Sequence, residues 1–386
     1  MSRYKIVSAD THITEPPDIW KNHLPEKYQE HAPTLVKDHE GGDAWLFAGA
    51  SNPDPIGLTT TPGKKFEEFR WHGVTFDSVR PGCINGKARL EDMDIDGIDA
   101  EITFPPQRTI GHWLGNPDDE LVRAGVDAYN SFAFDEFAAD PQRIFPMYQI
   151  PSTGIDDAVK YVGKAKERGA KGVVISCWPT GGDQLTAEDD AFWAACFDAE
   201  LPVTIHISLV GRQARTKAQQ AGSQATAGVK KGAPNANQRA IGGMAGVFAA
   251  VPPTIGQFCF QGVFDRFPDL RVILIETGVG WIPHFIEQLD DRYWRNRGWG
   301  EIAIKEPPSH YWYQNFAATF MQDFNGVHQR HAVGIENMMW STDYPHHGCD
   351  WPYSRKVIAE MFSGVDPSER DKIVAGNAVR LWNLDG

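Results

Sequence analysis

The sequence predicts an α/β protein built as a distorted (β/α)8 barrel. Three observations point there. Eight short apolar runs are spread along the chain, helical patterning separates most of them, and no glycine-rich phosphate loop follows the first run. That last point argues against a doubly wound open sheet, whose first turn carries such a loop. A chain of 386 residues with 41% hydrophobic side chains suits one large barrel or two ordinary domains. The recurring strand-helix rhythm selects a single barrel domain over residues 1–386, with an insertion after strand one and a long loop after strand five.

The first strand is the apolar run Tyr4-Lys5-Ile6-Val7, which leads into Ser8-Ala9-Asp10-Thr11-His12-Ile13-Thr14-Glu15. Pro16-Pro17-Asp18-Ile19-Trp20 then starts a short helix. Residues 38–80 are rich in Gly, Pro, Asp and Thr, yet carry Trp45, Phe47, Phe66, Phe69 and Trp71. Aromatics at that density predict a folded flap, such as a hairpin, rather than a disordered loop. The amphipathic helix 88–96 is closed by Gly97, and strand two, 100–104, is stopped by Pro105-Pro106. Helical spacing follows over 117–139, strand three over 144–150, a helix over 155–168 and strand four over 172–176. A helix at 189–199 precedes strand five, 202–207. Residues 208–240 are Gly, Ala, Gln and Lys with almost no large apolar side chain, so they cannot form core and read as a lid or mobile loop. Helical patterns at 242–251 and 258–267 precede strand six, 270–276. The helix 281–294 has Pro283 in its first turn, where a missing N–H is harmless. Strands seven and eight fall at 315–320 and 337–341, and helical stretches at 352–362 and 368–382 close the chain.

The balance of 37 basic against 51 acidic side chains leaves a charge of -14, spread diffusely. Such an excess repels nucleic acid and anionic membranes, so neither is an expected partner, and no apolar run is long enough to span a bilayer. Met1-Ser2-Arg3-Tyr4 lacks the apolar stretch of a signal peptide. The five cysteines are scattered without a CxxC pair, which fits reduced thiols in a cytoplasmic protein.

Barrel active sites lie at the C-terminal ends of the strands. Strand one ends in Asp10 and His12, strand five in His206, strand six in Glu276, and strand eight runs into Asp343. Each has an ordinary structural role available: a surface Asp, a core His, a helix-capping Glu, a turn Asp. Two imidazoles and three carboxylates at successive strand ends are nevertheless the donor types of a divalent metal site. His346 and His347 follow closely enough to reach a substrate. Trp45, Trp71 and Trp281, with Trp178 and Trp312, suit a roomy apolar mouth for an aromatic or acyl group, and Arg212 or Arg215 would meet an anionic one. For each of these, core packing or solvated surface is the competing assignment.

These residues resemble the amidohydrolase-related family, in the branch that contains 2-amino-3-carboxymuconate semialdehyde decarboxylase and many hydrolases. The likeness runs through Asp10-Thr11-His12 with Glu15-Pro16, Arg80-Pro81-Gly82, Arg89 to Asp94, Gly97 to Ala100, Gly115 to Asp118 and Pro202 to His206. It continues in Phe267 to Leu270, Glu276 to Pro283, Ser341 to His346 and Gly376 to Leu381. The resemblance implies a barrel holding one or two divalent ions, zinc first, with manganese or iron compatible. Asp10 and His12 would be strand-one ligands, His206 the strand-five ligand, and Asp343 a ligand or proton acceptor. Two departures stand out: Asp10 replaces a common first histidine, and Glu276 stands where decarboxylating relatives carry a proton-transferring histidine. The second favours a metal-dependent hydrolase acting on an amide, ester or thioester. In it Asp343 or Glu276 would manage a water proton, His346 would protonate the leaving group, and Glu276 would be free to hold a metal. The alternative is a non-oxidative decarboxylase of an aromatic or muconate-type acid, and a barrel that only binds a small molecule is the third. Family habit also allows a homodimer, and Tyr311-Trp312-Tyr313 has two equal assignments, its interface or internal packing.

Overall fold

The computed structural model describes residues 2–221 and 247–386. In chain order its strands are β1 (Val7–His12), β2 (Thr34–Lys37), β3 (Asp43–Leu46), β4 (Asp54–Pro55), β5 (Ala100–Phe104) and β6 (Ile144–Pro146). They continue as β7 (Tyr148–Gln149), β8 (Val173–Cys177), β9 (Val203–Val210), β10 (Val272–Ile275), β11 (Phe316–Phe320) and β12 (Met338–Trp340). β1, β5 and β6 form one parallel sheet, and β7 through β12 form a second in chain order. β6 and β7 are one strand position interrupted at Met147. The Met147 N–H donates to Thr103 on the β5 side, and the Tyr148 N–H to Gly172 on the β8 side. At the other junction the His12 N–H donates to the Tyr344 carbonyl at 2.6 Å and the Asp343 N–H to the Asp10 carbonyl at 3.0 Å. The two sheets therefore meet at both edges, and strand order follows chain order as a (β/α)8 barrel requires.

The buried strands bury both faces. Ile273 and Ile275 pack with Val7, Ile102, Phe104, Val174 and Met339 in one apolar cluster, while Val272 and Leu274 join Val203, Ile205 and Phe316 in another. Alternation along a strand explains the split: one set fills the barrel and the next set meets the helices. Each such isoleucine, leucine or phenylalanine contributes about 1.5–3 kcal/mol by leaving water. Helix Gly86–Asp96 stops at Gly97, whose φ of 80° is the left-handed cap that glycine adopts freely.

Between β1 and β5 the chain forms a small antiparallel sheet, β2-β3-β4, followed by single-turn helices. The expected lid region begins differently from a loop. β9 runs on to Val210 and a helix spans Arg212–Ala221. Ala, Gln, Lys and Arg are strong helix formers, so low hydrophobicity concealed a helix there. Residues 222–240 of that expected lid lie outside the described residues. A second unexpected helix, Gln107–Leu114, follows Pro105-Pro106 and buries Ile110, Trp113 and Leu114. The helix read across 117–139 is a shorter one, Asp119–Phe132, capped by the Asp118 carboxylate on the Glu120 and Leu121 N–H groups, with a wider turn after it. Tyr311 and Trp312 are buried, and the Trp312 indole donates to Val333, so these two rings are internal packing, the second assignment given above, and only Tyr313 is exposed. No described helix is long and apolar enough to cross a membrane. All five cysteines are buried and unpaired.

Candidate active site

Asp10, His12, His206 and Glu276 bring one donor atom each to a common point, all within 4.8 Å of one another. The Nε2 atoms of His12 and His206 are 2.9 Å apart. Asp10 Oδ1 lies 3.5 Å from His12 Nε2 and 3.7 Å from His206 Nε2, and Glu276 Oε2 lies 3.8 Å from His206 Nε2. On the other side of His12, Asp343 Oδ1 is 3.5 Å from Nε2, and His346 Nδ1 is 3.1 Å from the same oxygen. The His346 ring stacks flat on His12, with centroids 4.0 Å apart.

Local backbone aims these groups. The register of β1 against β5 shifts between Ser8 and Thr11, so Asp10 leaves the regular ladder just before the strand ends. Ile207, Glu276 and Asp343 hold φ of 61°, 59° and 55°, left-handed conformations in non-glycine residues, the first inside β9 next to His206 and the others just past β10 and β12. Such backbone costs about 1–3 kcal/mol per residue and is retained where the surroundings over-determine it. His12 is fixed through its other nitrogen: Nδ1 lies 3.2 Å from the Pro105 carbonyl, which places the ring proton there and leaves Nε2 as a lone pair.

The residues fit a divalent ion. Asp10, His12 and Asp343 are 0–1% exposed, yet both Asp10 carboxylate oxygens and Asp343 Oδ1 lack any hydrogen-bond donor. Buried carboxylate oxygens are seldom left open in this way. An ion with bonds of ~2.1 Å sets neighbouring donors roughly 3.0–3.4 Å apart, close to the spacings here. The acidity of the groups agrees. Burial, and then the charges of Glu276 and Asp10, holds Asp343 well above the usual carboxylate range. Burial likewise raises Glu276 to about 7, against the opposing pull of His206. Burial drives His12 and His346 well below the usual imidazole range. It would do the same to His206, but the Asp10 carboxylate 3.7 Å away, and then Glu276, raise that ring instead. Three crowded carboxyls share fewer charges than they would in water, a repulsion that a cation relieves.

The remaining expected residues are placed less centrally. Trp45 on β3 is 3% exposed and belongs to the apolar core, so it supports a wall rather than presenting a face. Trp281 donates its indole N–H to Thr277 and packs against Phe285. Arg212 is already taken, with an ion pair to Asp119 at 2.6 Å and a bond to the Asn116 carbonyl. His347 is exposed, and its backbone N–H donates to the Leu58 carbonyl. Trp71 lies under the guanidinium of Arg108, whose carbon stands 4.0 Å from the ring centre. Arg108 was not anticipated. Its position right after the Pro-Pro stop of strand two, at a strand's C-terminal end, was the available signal.

The amidohydrolase family matches residues 10–384, and the chain belongs to it. Among curated proteins it is 26% identical to the decarboxylase orsB of Emericella nidulans over 282 residues, which covers 69% of this chain and 77% of that one. Among solved structures, an amidohydrolase of Mycobacterium avium subsp. paratuberculosis superposes with a TM-score of 0.71 at 20% identity, covering 99% of this chain and 100% of that one. A dihydroxybenzoic acid decarboxylase of Polaromonas sp. JS666, solved with manganese and the inhibitor 2-nitroresorcinol, gives 0.61 at 16% identity, covering 100% and 98%. These similarities overturn the expected hydrolase. The curated relative orsB is a decarboxylase, so hydrolysis is not read from Glu276 in the histidine's place.

Proposed function

We propose that this protein is a divalent-metal-dependent, non-oxidative decarboxylase of hydroxy-aromatic acids, using manganese rather than the zinc expected from sequence. The observation that carries the reading is the open, buried donor set beside a protonatable Asp343–His346 pair, in a chain 26% identical to a decarboxylase. Manganese in the Polaromonas relative supports the choice of ion, and mixed oxygen and nitrogen donors suit it.

Asp10, His12, His206 and Glu276 would hold the ion. When bound, it acts as a Lewis acid that grips the substrate carboxylate with an adjacent oxygen and draws off charge. The chain's own residues do the rest. Asp343, kept protonated by its burial, presents an acidic proton at the site, and the neutral His346 ring lies beside it, Nδ1 3.1 Å from Oδ1. As the bond between ring carbon and carboxylate breaks, its electron pair stays on the ring carbon and takes the Asp343 proton. Carbon dioxide leaves, and solvent re-protonates Asp343. The flat His346–His12 stack keeps both rings from turning.

The manganese-loaded enzyme should release carbon dioxide from mono- and dihydroxybenzoates. In deuterium oxide the product should gain a single ring deuterium where the carboxylate stood. No carbon dioxide from such a panel, with manganese demonstrably bound, would sink the reading.

A further inference from the structure

One guanidinium at the rim of the donor set has neither a hydrogen-bond nor an ion-pair partner among the described residues. Pro105, whose carbonyl holds His12 Nδ1, is followed by Gln107, pinned by its own bond to Pro105 and by the Ser176 hydroxyl. Arg108 comes next and lays its planar face on Trp71 at 4.0 Å. It is half-buried, and among the described residues it makes no hydrogen bond and no ion pair. Arg89, Arg123 and Arg212 are each matched to a carboxylate at 2.6–2.8 Å. The carboxylates whose charge reaches Arg108 are Asp54 and Glu276. Asp54 is engaged with His112 Nε2 at 2.5 Å, and Glu276 is one of the clustered donors. Stacking on an aromatic face leaves the edge of the guanidinium fork free, and that edge fits a carboxylate with two parallel hydrogen bonds. Arg108 stands in the first turn of helix Gln107–Leu114, three residues beyond the Pro105 carbonyl that faces His12, so it lies on the same barrel rim as the donor set.

We propose that Arg108, braced by Trp71, is a specificity-determining residue that binds a second carboxylate of the substrate, on the ring position away from the departing one. Hydroxylated aromatic dicarboxylates are then preferred over monocarboxylates. The assignment rests on the decarboxylase reading above for the identity of the first carboxylate.

A matched pair of probes tests it: 4-hydroxyisophthalate and 2-hydroxybenzoate, which differ only by the carboxylate opposite the hydroxyl. Dissociation constants for the manganese-loaded full chain are measured by calorimetry, and carbon dioxide release is followed in parallel. The wild type should bind the dicarboxylate at least about tenfold more tightly, as a charge-assisted pair implies. Arg108→Gln should lose at least about tenfold more affinity for the dicarboxylate than for the monocarboxylate, with Arg108→Lys between the two. Arg108→Lys keeps the charge but not the fork, and it decides the matter if Arg108→Gln does not fold. Equal weakening of both acids, or of neither, in a folded variant overturns the assignment. Release of carbon dioxide without any preference that depends on Arg108 overturns it alone. An Arg108-dependent preference with no carbon dioxide from either acid keeps the anion site and removes the decarboxylase.

Discussion

Two clusters of buried charge adjoin in this barrel, and they are finished differently. In the first, Arg89 is 1% exposed and donates to Glu101 at 2.8 Å and to the Gly82 and His12 carbonyls at 2.7 Å. Its guanidinium stacks on Tyr344, whose hydroxyl donates to Asp92, itself paired with Arg80. In the second, Asp10, Asp343 and His206 are about as enclosed and His346 is half-buried, yet each keeps at least one buried donor or acceptor atom without a partner among the described residues. The first cluster braces the second, because Arg89 holds the carbonyl of His12 itself. Burial of charge is thus common to structure and function, and unsatisfied valence separates them. Both stretches carry the family resemblance, but only one has chemistry left to do.

The comparison breaks first at Asp343. Replacing it with Asn keeps the shape but removes the proton donor, so carbon dioxide release should fall by about 10²–10⁴ while bound manganese, read by elemental analysis, is retained. Undiminished turnover would show that the open valence at Asp343 serves no proton transfer.

The next largest effect should come from the closed cluster. Arg89→Met strands the Glu101 carboxylate in the core, and denaturant unfolding should report a loss of about 3–5 kcal/mol. The double variant with Glu101→Met should recover most of that loss, since two apolar side chains fill the volume without an orphaned charge. If the double variant is as unstable as the single one, the ion pair is not what Arg89 contributes.

Metal binding should sharpen the contrast from the other side. Manganese at a hundred times its dissociation constant should stabilise the fold by about 2.7 kcal/mol, and a chelator should reverse it. His206→Ala should abolish that response and lower the bound metal. An unchanged manganese-dependent rise in melting temperature would place the ion elsewhere.

How much of this was legible follows from the same distinction. Asp10, His12, His206, Glu276 and Asp343 stood out because barrel topology converts chain order into position, and strand ends are visible in apolar runs. The strand order needed only that rule as well. Arg108 was hidden because its interest lies in what it fails to touch, a property of three dimensions. Arg212 misled for the converse reason, its partner Asp119 lying far off in sequence. The helix Arg212–Ala221 was missed because polar helix formers lack the apolar stripe that periodicity detects. The reaction itself was not readable, since one set of oxygen and nitrogen donors serves hydrolysis and decarboxylation alike. Only the relatives separated the two.

Glu15 represents a third way to finish a buried charge, and at pH 5 replacing it should have the smallest effect. It is 3% exposed, has no cation partner among the described residues, and accepts a hydrogen bond from the Thr109 hydroxyl. Burial pushes its carboxyl up to about 8, so at neutral pH the proton itself neutralises it. A carboxyl raised in the folded state binds its proton more tightly than in the unfolded chain. Its contribution is full below the unfolded value near 4.5 and is lost as pH rises through about 8. Glu276 and Asp343 are raised in the same sense, so wild-type stability alone cannot isolate Glu15. The difference between wild type and Glu15→Gln can, because a neutral amide has the shape of the protonated acid. At pH 5 the two proteins should agree within about 1 kcal/mol, as isosteric neutral side chains do. From there to pH 8 the wild type should lose stability faster, seen in urea melts at a series of pH values. Parallel curves across that window would mean that Glu15 ionises without penalty, and that its burial is satisfied by something other than its proton.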